Sequence, residues 1–373
     1  MRILVINWRD IRHPEAGGAE VHIHEIFSRM VLAGHEVTLL CSLFPNAPVH
    51  EQIDGVSIIR HGSKFTFNLT VPGFYRSNLA ASNFDIVVEA LNKVPFFLPS
   101  QLPVPVMAIV HHLFGLPVFL ETNPVFASLI YITERLIPFF YKKVLFEAIS
   151  ESSRDELVHM GIAAGQIQVI HCGLDWNRFH ERGHLHEKTE PVILSMGRLK
   201  RYKNIHHVIQ VMPRVRSAIP GARLVIAGGG DYRPALEALV LKMGLQDAVQ
   251  FVGFVSEEEK VAWFRRAMVS VYPSSKEGWG LTVIEANACY TPVVAANVPG
   301  LKDAVVHDQT GLLFPVGDLS ALAEALIQLL LDQATRERLA LGAGKWAERF
   351  TWDEAAIQTL ALMERAIREH RAP

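Results

Sequence analysis

Short, largely apolar runs alternate along this chain with longer segments whose apolar positions recur at helical spacing. Residues 2–7 form the first such run, and the loop after it ends in Pro14-Glu15-Ala16-Gly17-Gly18-Ala19-Glu20. A helix is predicted from there to about Ala33, carried by Val21, Ile23, Ile26, Phe27, Met30 and Val31, with Gly34 as its stop. Residues 37–41 give the next strand, so strand, helix and strand imply a parallel pair with a right-handed crossover. Residues 56–60, 84–90, 104–110, 144–149 and 167–170 read as further strands with helical or irregular segments between them. After a polar stretch at 175–190 the alternation resumes. It runs through a strand at 191–196, a helix at 204–218 that Asn204 caps, strands at 222–227 and 249–252, and a strand at 268–272. Ser256-Glu257-Glu258-Glu259 reads as the capped start of another helix. The pattern predicts doubly wound α/β sheets, whose ligands sit outside the carboxyl ends of the strands.

Length changes this picture only by doubling it: 373 residues exceed one typical core, so two domains are expected. The polar stretch is the expected linker. His180, His184 and His186 within it are spaced like metal ligands, but no cysteine or paired carboxylate supports them, and a solvated loop is the better reading. A formal net charge of −2 gives no general attraction to nucleic acid or anionic membranes. Cys41, Cys172 and Cys289 are scattered, which points to a reducing compartment and no disulfide framework. The N-terminus reads as a first strand, not a signal peptide. The most membrane-like stretch, 124–146, is broken by Glu134, Arg135, Lys142 and Lys143, so no spanning helix is expected. Segments 64–75 and 95–146 are rich in phenylalanine and aliphatic residues. Most of these belong in the core, and some are candidates for a surface that meets a lipid-linked acceptor or a membrane.

Candidate chemistry centres on Glu277-Gly278-Trp279-Gly280-Leu281-Thr282-Val283-Ile284-Glu285, a strand-to-helix turn with a carboxylate on each side. The helix start offers unpaired backbone N–H groups to a phosphate, whereas carboxylates, being acceptors only, suit sugar or ribose hydroxyls. Taken alone, the stretch reads better as a plain helix start with an acidic residue on its dipole. Arg198 and Lys203, in a strand-to-helix loop of the same sheet edge, add the cations a diphosphate needs. Gly17-Gly18 is a second possible phosphate contact or a simple turn, and it lacks dinucleotide-fingerprint spacing. His111-His112 ends a predicted strand, where one ring faces a cleft or is merely hydrogen-bonded.

These residues carry a resemblance. Gly197-Arg198-Leu199 with Lys203-Asn204, Ala227-Gly228-Gly229-Gly230, the two glutamates seven residues apart, Val298-Pro299-Gly300-Leu301 and Thr310-Gly311-Leu312-Leu313 are similar to motifs of the retaining glycosyltransferases of family 4. In the first half Gly17-Gly18-Ala19-Glu20, Ile149-Ser150-Glu151-Ser152 and His171-Cys172-Gly173-Leu174-Asp175 resemble that family's segments, the last departing from its usual Pro-Asn-Gly-Val-Asp. The resemblance implies the GT-B architecture: two facing Rossmann-like domains with a cleft between them. Residues 1–174 would form the acceptor-side domain, 175–190 the linker and 191–351 the nucleotide-sugar domain, with a final helix at 352–373 crossing back to the first domain.

It further implies that Arg198 and Lys203 bind the donor diphosphate, helped by Gly280, Leu281 and Thr282 and by Gly17 and Gly18. Glu277 would hold the transferred sugar, Glu285 the ribose, and His111 rather than His112 would stand near sugar and acceptor. The implied reaction is metal-independent transfer, with retention, of a hexose-type sugar from a UDP- or GDP-sugar to a glycan or lipid-linked acceptor. No cofactor and no nucleic acid would take part. The setting would be envelope or exopolysaccharide synthesis in the cytoplasm, with possible peripheral membrane contact at the inner face. The alternatives are a nucleotide-sugar 2-epimerase of the same shape and a non-catalytic nucleotide-sugar-binding protein.

Overall fold

The apolar runs become the strands of two sheets, one in each of two compact units, in a computed structural model that describes residues 1–92, 94–120, 122–180, 188 and 190–371. The first unit comprises Met1–Gly173 and Trp352–Pro373. Its strands are β1 (Arg2–Ile6), β2 (Glu36–Cys41), β3 (His50–Ile53), β4 (Val56–Arg60), β5 (Ile86–Leu91), β6 (Val106–Val110), β7 (Leu145–Ala148) and β8 (Ile167–Val169), in the order β3-β4-β2-β1-β5-β6-β7-β8. Every neighbouring pair is parallel except β3–β4. Ile3, Leu4, Val5 and Ile6 are all completely buried, as expected for a central strand covered on both faces. The antiparallel β3 is the strand that the apolar pattern misses, because His50-Glu51-Gln52 is polar. Its turn was nonetheless written in Asp54-Gly55, whose φ angles of 47° and 82° suit a two-residue hairpin.

The second unit, Leu174–Thr351, holds β9 (Val192–Met196), β10 (Arg223–Ala227), β11 (Val249–Gly253), β12 (Val269–Tyr272), β13 (Val293–Ala296) and β14 (Gly311–Phe314). They form an all-parallel sheet in the order β11-β10-β9-β12-β13-β14, whose direction of winding reverses between β9 and β12. At the edge of this unit Leu174 and Thr351 form a parallel bridge, with the Leu174 N–H donating to Phe350 O at 3.2 Å. The expected linker starts inside this unit: Asp175 caps the short helix Trp176–Phe179, and Cys289 Sγ contacts Phe179 O at 3.5 Å. His180 stacks on Trp176 with ring centroids 4.2 Å apart, while His184 and His186 lie outside the described residues.

The last helix, Trp352–Arg371, packs within the first unit against the helix Gly18–Leu32. Arg29 Nε donates to Asp353 at 2.6 Å, and Thr359 Oγ1 donates to Glu147 Oε2 on β7 at 2.7 Å. Among the described residues no helix is long and apolar enough to cross a membrane. The helix Pro124–Arg135 nevertheless inverts the usual surface pattern. Ala127, Ile130 and Glu134 face inward, while Val125, Leu129, Ile132 and Leu136, spaced as one helical stripe, are exposed. Leu116, Phe119, Phe126, Phe139 and Phe140 are exposed around this stripe.

Candidate active site

In the second unit four strand-to-helix loops are locked together by backbone contacts. After β9, the Leu199 N–H donates to Gly229 O at 2.8 Å, and Tyr232 N–H donates to Leu199 O at 3.1 Å. A Cβ on Gly228 would lie 2.0 Å from Gly197 O, and one on Gly230 would lie 2.2 Å from Leu199 O. Gly228 and Gly230 after β10 are thus required where one loop lies on another, whereas a Cβ on Gly229 would meet nothing within 4 Å. The loop after β12 is tied in the same way: Ser275 N–H donates to Tyr202 O at 2.9 Å, and Glu277 N–H donates to Pro299 O at 3.2 Å. Gly300, with φ of +81°, would place a Cβ 2.2 Å from Glu277 O.

Asn204 does not cap the following helix as its sequence position suggests. Its φ is 52°, which turns the side chain away from the first helical N–H groups, and its Nδ2 donates instead to Pro273 O at 3.1 Å. That bond is another tie between the β9 and β12 loops.

The site side chains emerge from this lattice. Lys203 ends the single turn Arg201–Lys203 and places Nζ 2.5 Å from Glu277 Oε1, which also accepts from Ser274 Oγ at 2.6 Å. Burial disfavours the lysine's charge, but Glu277 and Tyr202 outweigh it and raise its pKa, with Arg198 opposing them. Arg198 is exposed and close enough for its charge to act on Lys203. Gly280, at φ +88°, starts the helix Leu281–Ala288, whose first-turn N–H groups at Leu281 and Thr282 have no intrahelical acceptor. Trp279, between the two glycines, is no ligand contact: it is 2% exposed and meets Phe350 edge-on at 5.1 Å, anchoring the turn.

Glu285 is buried one turn into that helix and accepts from Lys260 Nζ at 2.9 Å, while its buried Oε2 has no hydrogen-bond partner among the described residues. Burial raises its pKa and Lys260 works against the rise. Lys260 was not singled out in the sequence. It sits in the first turns of the helix Glu257–Arg266, where it looks like a solvent-facing partner of Glu257, which it also meets at 2.9 Å. No local signal links it to a residue 25 positions later.

In the first unit Gly17 is extended, and its N–H donates to Glu20 Oε2 at 2.7 Å at the start of the helix Gly18–Leu32. A Cβ on Gly18 would meet nothing within 4 Å, so internal packing gives no reason for glycine there. His111 directly follows β6, is 4% exposed, and has Nε2 3.1 Å from His22 Nδ1. Burial, with the neighbouring His22 and His112, holds its pKa well below the ordinary histidine value. His112 is half-buried. His22 and its neighbour Glu147 were missed because they lie on apolar elements where polar residues pass for helix surface or strand filler.

Arg198, Lys203, Glu277, Gly280, Leu281, Thr282 and Glu285 therefore share one sheet edge, beside the reversal between β9 and β12. That is where ligands bind open α/β sheets. Gly17, Gly18 and His111 lie at the corresponding edge of the other sheet.

Two family profiles match in tandem: "Glycosyltransferase Family 4" over residues 16–178 and "Glycosyl transferases group 1" over residues 177–346. The chain belongs to the family 4, group 1 glycosyltransferases. Its fold is theirs, GT-B. Over its whole length it is similar to glycogen synthase of Mycobacterium tuberculosis, 28% identical and covering 97% of that protein. It is 35% identical to the D-inositol 3-phosphate glycosyltransferase of Xylanimonas cellulosilytica over 61% of this chain and 58% of the relative.

Among solved structures, sucrose-phosphate synthase from Thermosynechococcus elongatus superposes with a TM-score of 0.83 at 25% identity, covering 98% of each chain. Anabaena HepE, solved with UDP and glucose, gives 0.77 at 19% identity, covering 98% of this chain and all of that one. This glycosyltransferase thus combines a family-wide fold with a site edge whose charges are arranged in cation–carboxylate pairs.

Proposed function

We propose that this glycosyltransferase takes a nucleoside-diphosphate sugar, UDP- or GDP-linked, and transfers the sugar with retention to a hydroxyl of a glycan or lipid-linked acceptor. The observation that carries this reading is the shared edge of Arg198, Lys203, the Leu281 helix start, Glu277 and Glu285. It joins an anion-binding group to two hydroxyl-binding carboxylates at the ligand position of the sheet. Arg198 as a fork and Lys203 as a point charge neutralise the diphosphate, and the helix N–H groups add their dipole. Glu277 then exchanges Lys203 for hydroxyls of the sugar, and the open Oε2 of Glu285 takes a ribose hydroxyl.

As the glycosidic bond breaks, negative charge grows on the leaving phosphate, where the cations stabilise it more than in the ground state. In this reading these side chains take the place of a metal ion. The departing phosphate accepts the acceptor's proton on the face it leaves, which preserves anomeric configuration. The HepE complex with UDP and glucose, a protein of the same fold, supports a uridine donor. Thermal-shift screening against UDP- and GDP-sugars, followed by NMR of the product's anomeric proton, tests the reading. Stabilisation by neither series, or an inverted product, overturns it. Epimer formation without nucleotide release favours the 2-epimerase, and donor binding without turnover the non-catalytic protein.

The exposed stripe of Val125, Leu129, Ile132 and Leu136 supports a site on the inner face of an anionic bilayer, from which a lipid-linked acceptor is reached. Its exposed neighbours Arg135, Lys142 and Lys143 supply complementary charge. Cosedimentation with phosphatidylglycerol vesicles, lost in Leu129→Ser/Ile132→Ser, checks this. Equal binding to neutral vesicles, or none, refutes it.

A further inference from the structure

Lys260 and Glu285 form a largely enclosed ion pair within the second unit, with 15% of the lysine side chain and 7% of the glutamate exposed. The lysine is held on three sides. Its Nζ donates to Glu285 Oε1 and lies against Glu257 Oε2, each at 2.9 Å, and it stands 5.5 Å from the centre of the Phe179 ring. Two sides of the ammonium thus meet carboxylates and a third meets an aromatic face, so its bonding capacity is spent inside the protein. Arg178 Nη1, 3.5 Å from Glu257 Oε2, steadies the second carboxylate.

Glu285 is only half spent. Oε1 accepts from Lys260, whereas the buried Oε2 has no hydrogen-bond partner among the described residues. Two nearby protons that could reach it go elsewhere: Tyr272 Oη donates to Thr282 O at 2.8 Å, and Cys289 Sγ points at Phe179 O at 3.5 Å. Burial and the nearby Glu285 charge keep both of these groups protonated. A pair that served folding alone would satisfy both oxygens, since a bare buried acceptor is costly and apolar residues of similar volume often replace a buried pair without loss. Burial raises the pKa of Glu285 and Glu257 adds to the rise, while Lys260 foremost and Arg178 oppose it. Lys260 stays charged in return: burial disfavours its charge, but Glu285 and Glu257 outweigh that.

We propose that Lys260 is a positioning residue that keeps Glu285 a carboxylate and occupies its Oε1, so that Oε2 stands as the acceptor for a ribose hydroxyl and the site rejects deoxyribonucleoside diphosphates. The inference rests on the assignment of Glu285 to the ribose. A hydrogen bond to a charged acceptor is stronger than one to a neutral acceptor, and an analogue that lacks the hydroxyl leaves the buried oxygen bare. Without Lys260, burial and Glu257 favour the protonated form of Glu285. A neutral carboxyl group donates as well as accepts, so it no longer requires a hydroxyl donor.

Calorimetric titration of the full-length protein with UDP, GDP and their 2′-deoxy and 3′-deoxy forms tests the specificity. Wild type should bind the ribonucleotide about 10- to 100-fold more tightly than at least one deoxy form. Lys260→Met should lose most of that preference and Lys260→Arg should keep it. Lys260→Met/Glu285→Gln should bind no more weakly than Glu285→Gln alone. No preference in wild type, or an undiminished one in Lys260→Met, overturns the proposal. So does a double variant whose losses add, because Lys260 would then touch the nucleotide itself. Where Lys260→Met does not fold, Lys260→Gln carries the same expectations. Carbon-13 NMR titration of labelled glutamate, assigned with Glu285→Gln, reads the pair without a ligand. Glu285 should titrate at higher pH in Lys260→Met than in wild type, and an equal midpoint overturns the proposal. Binding of neither UDP nor GDP by wild type sinks the ribose assignment of Glu285, and the NMR titration then decides whether Lys260 governs its charge.

Discussion

Replacing Lys203 by methionine keeps roughly the length of the side chain and removes its charge, leaving Glu277 with the hydrogen bond from Ser274. The pair is largely enclosed, with 21% of the lysine side chain and 15% of the glutamate exposed. Breaking a buried pair by removing one partner costs about 3–5 kcal/mol, chiefly because a charge stays behind uncompensated. The residual exposure and the surviving Ser274 bond put this case at the lower end, about 3 kcal/mol. In a unit of this size 1 kcal/mol moves the unfolding midpoint by roughly 2–4 °C, so Lys203→Met should melt roughly 6–12 °C lower.

The double variant Lys203→Met/Glu277→Gln removes both charges and should recover most of that loss. Activity should behave differently. Lys203→Met should lower kcat by about 10²–10³-fold, the scale of losing one electrostatic stabiliser of a developing anion, and the double variant should recover none of it. Calorimetry and a nucleotide-release assay on the wild type and these two variants separate the two effects. An unchanged midpoint in Lys203→Met, or a double variant melting as low as the single, would refute the reasoning.

Glu285→Ala should raise the donor KM about 10-fold or more with kcat nearly kept, because its loss weakens binding of the nucleotide in ground and transition states alike; steady-state kinetics decide. Gly300→Ala touches no proposed ligand contact, yet its methyl would press on Glu277 O, and a displacement near 1 Å at this position should cost about 100-fold in kcat; wild-type turnover would show that the loop yields freely. Glu89 on β5 is fully buried, and burial lifts its pKa to about 7 against the hydrogen bonds from Tyr141 and the backbone at Phe96 and Leu98. The folded state therefore holds a proton that the unfolded chain releases above about pH 4.5, so this group stabilises the fold at low pH and the contribution fades as pH rises towards 7. Glu89→Gln should flatten the fall in melting temperature across that window, and an identical slope counts against it. Truncation after Thr351 removes the Arg29 and Glu147 partners Asp353 and Thr359 and should leave little soluble, folded protein, as circular dichroism would show.

The parallel strands were legible because buried strands are written as unbroken apolar runs, Ile3 to Ile6 being the plainest, and the helices because their apolar residues keep a 3.6-residue period. Polar β3 escaped that signal, although Asp54-Gly55 announced its turn. The site was legible to the extent that its residue types are chemically specific: two cations, a helix start and two carboxylates select a phosphate-bearing polyol. Long-range pairing was not legible. Nothing local in Lys260 points to Glu285, and nothing in His22 points to both Glu147 and His111, since each contact is made by the sheet bringing distant segments together. Asn204 shows the converse: a residue with ideal capping chemistry was diverted by its backbone into tying two loops.

The backbone contacts at Gly228, Gly230 and Gly300 have an evolutionary and practical consequence. Outside Gly228, Gly230 and Gly300, segments 197–204, 228–230, 273–280 and 297–300 can vary in side chain but not independently in length, because lengthening one pushes the others apart. Donor preference in this lineage should therefore drift by point substitution. An engineer who wants another sugar should recombine the whole of 191–351 as one cassette and leave single loops ungrafted.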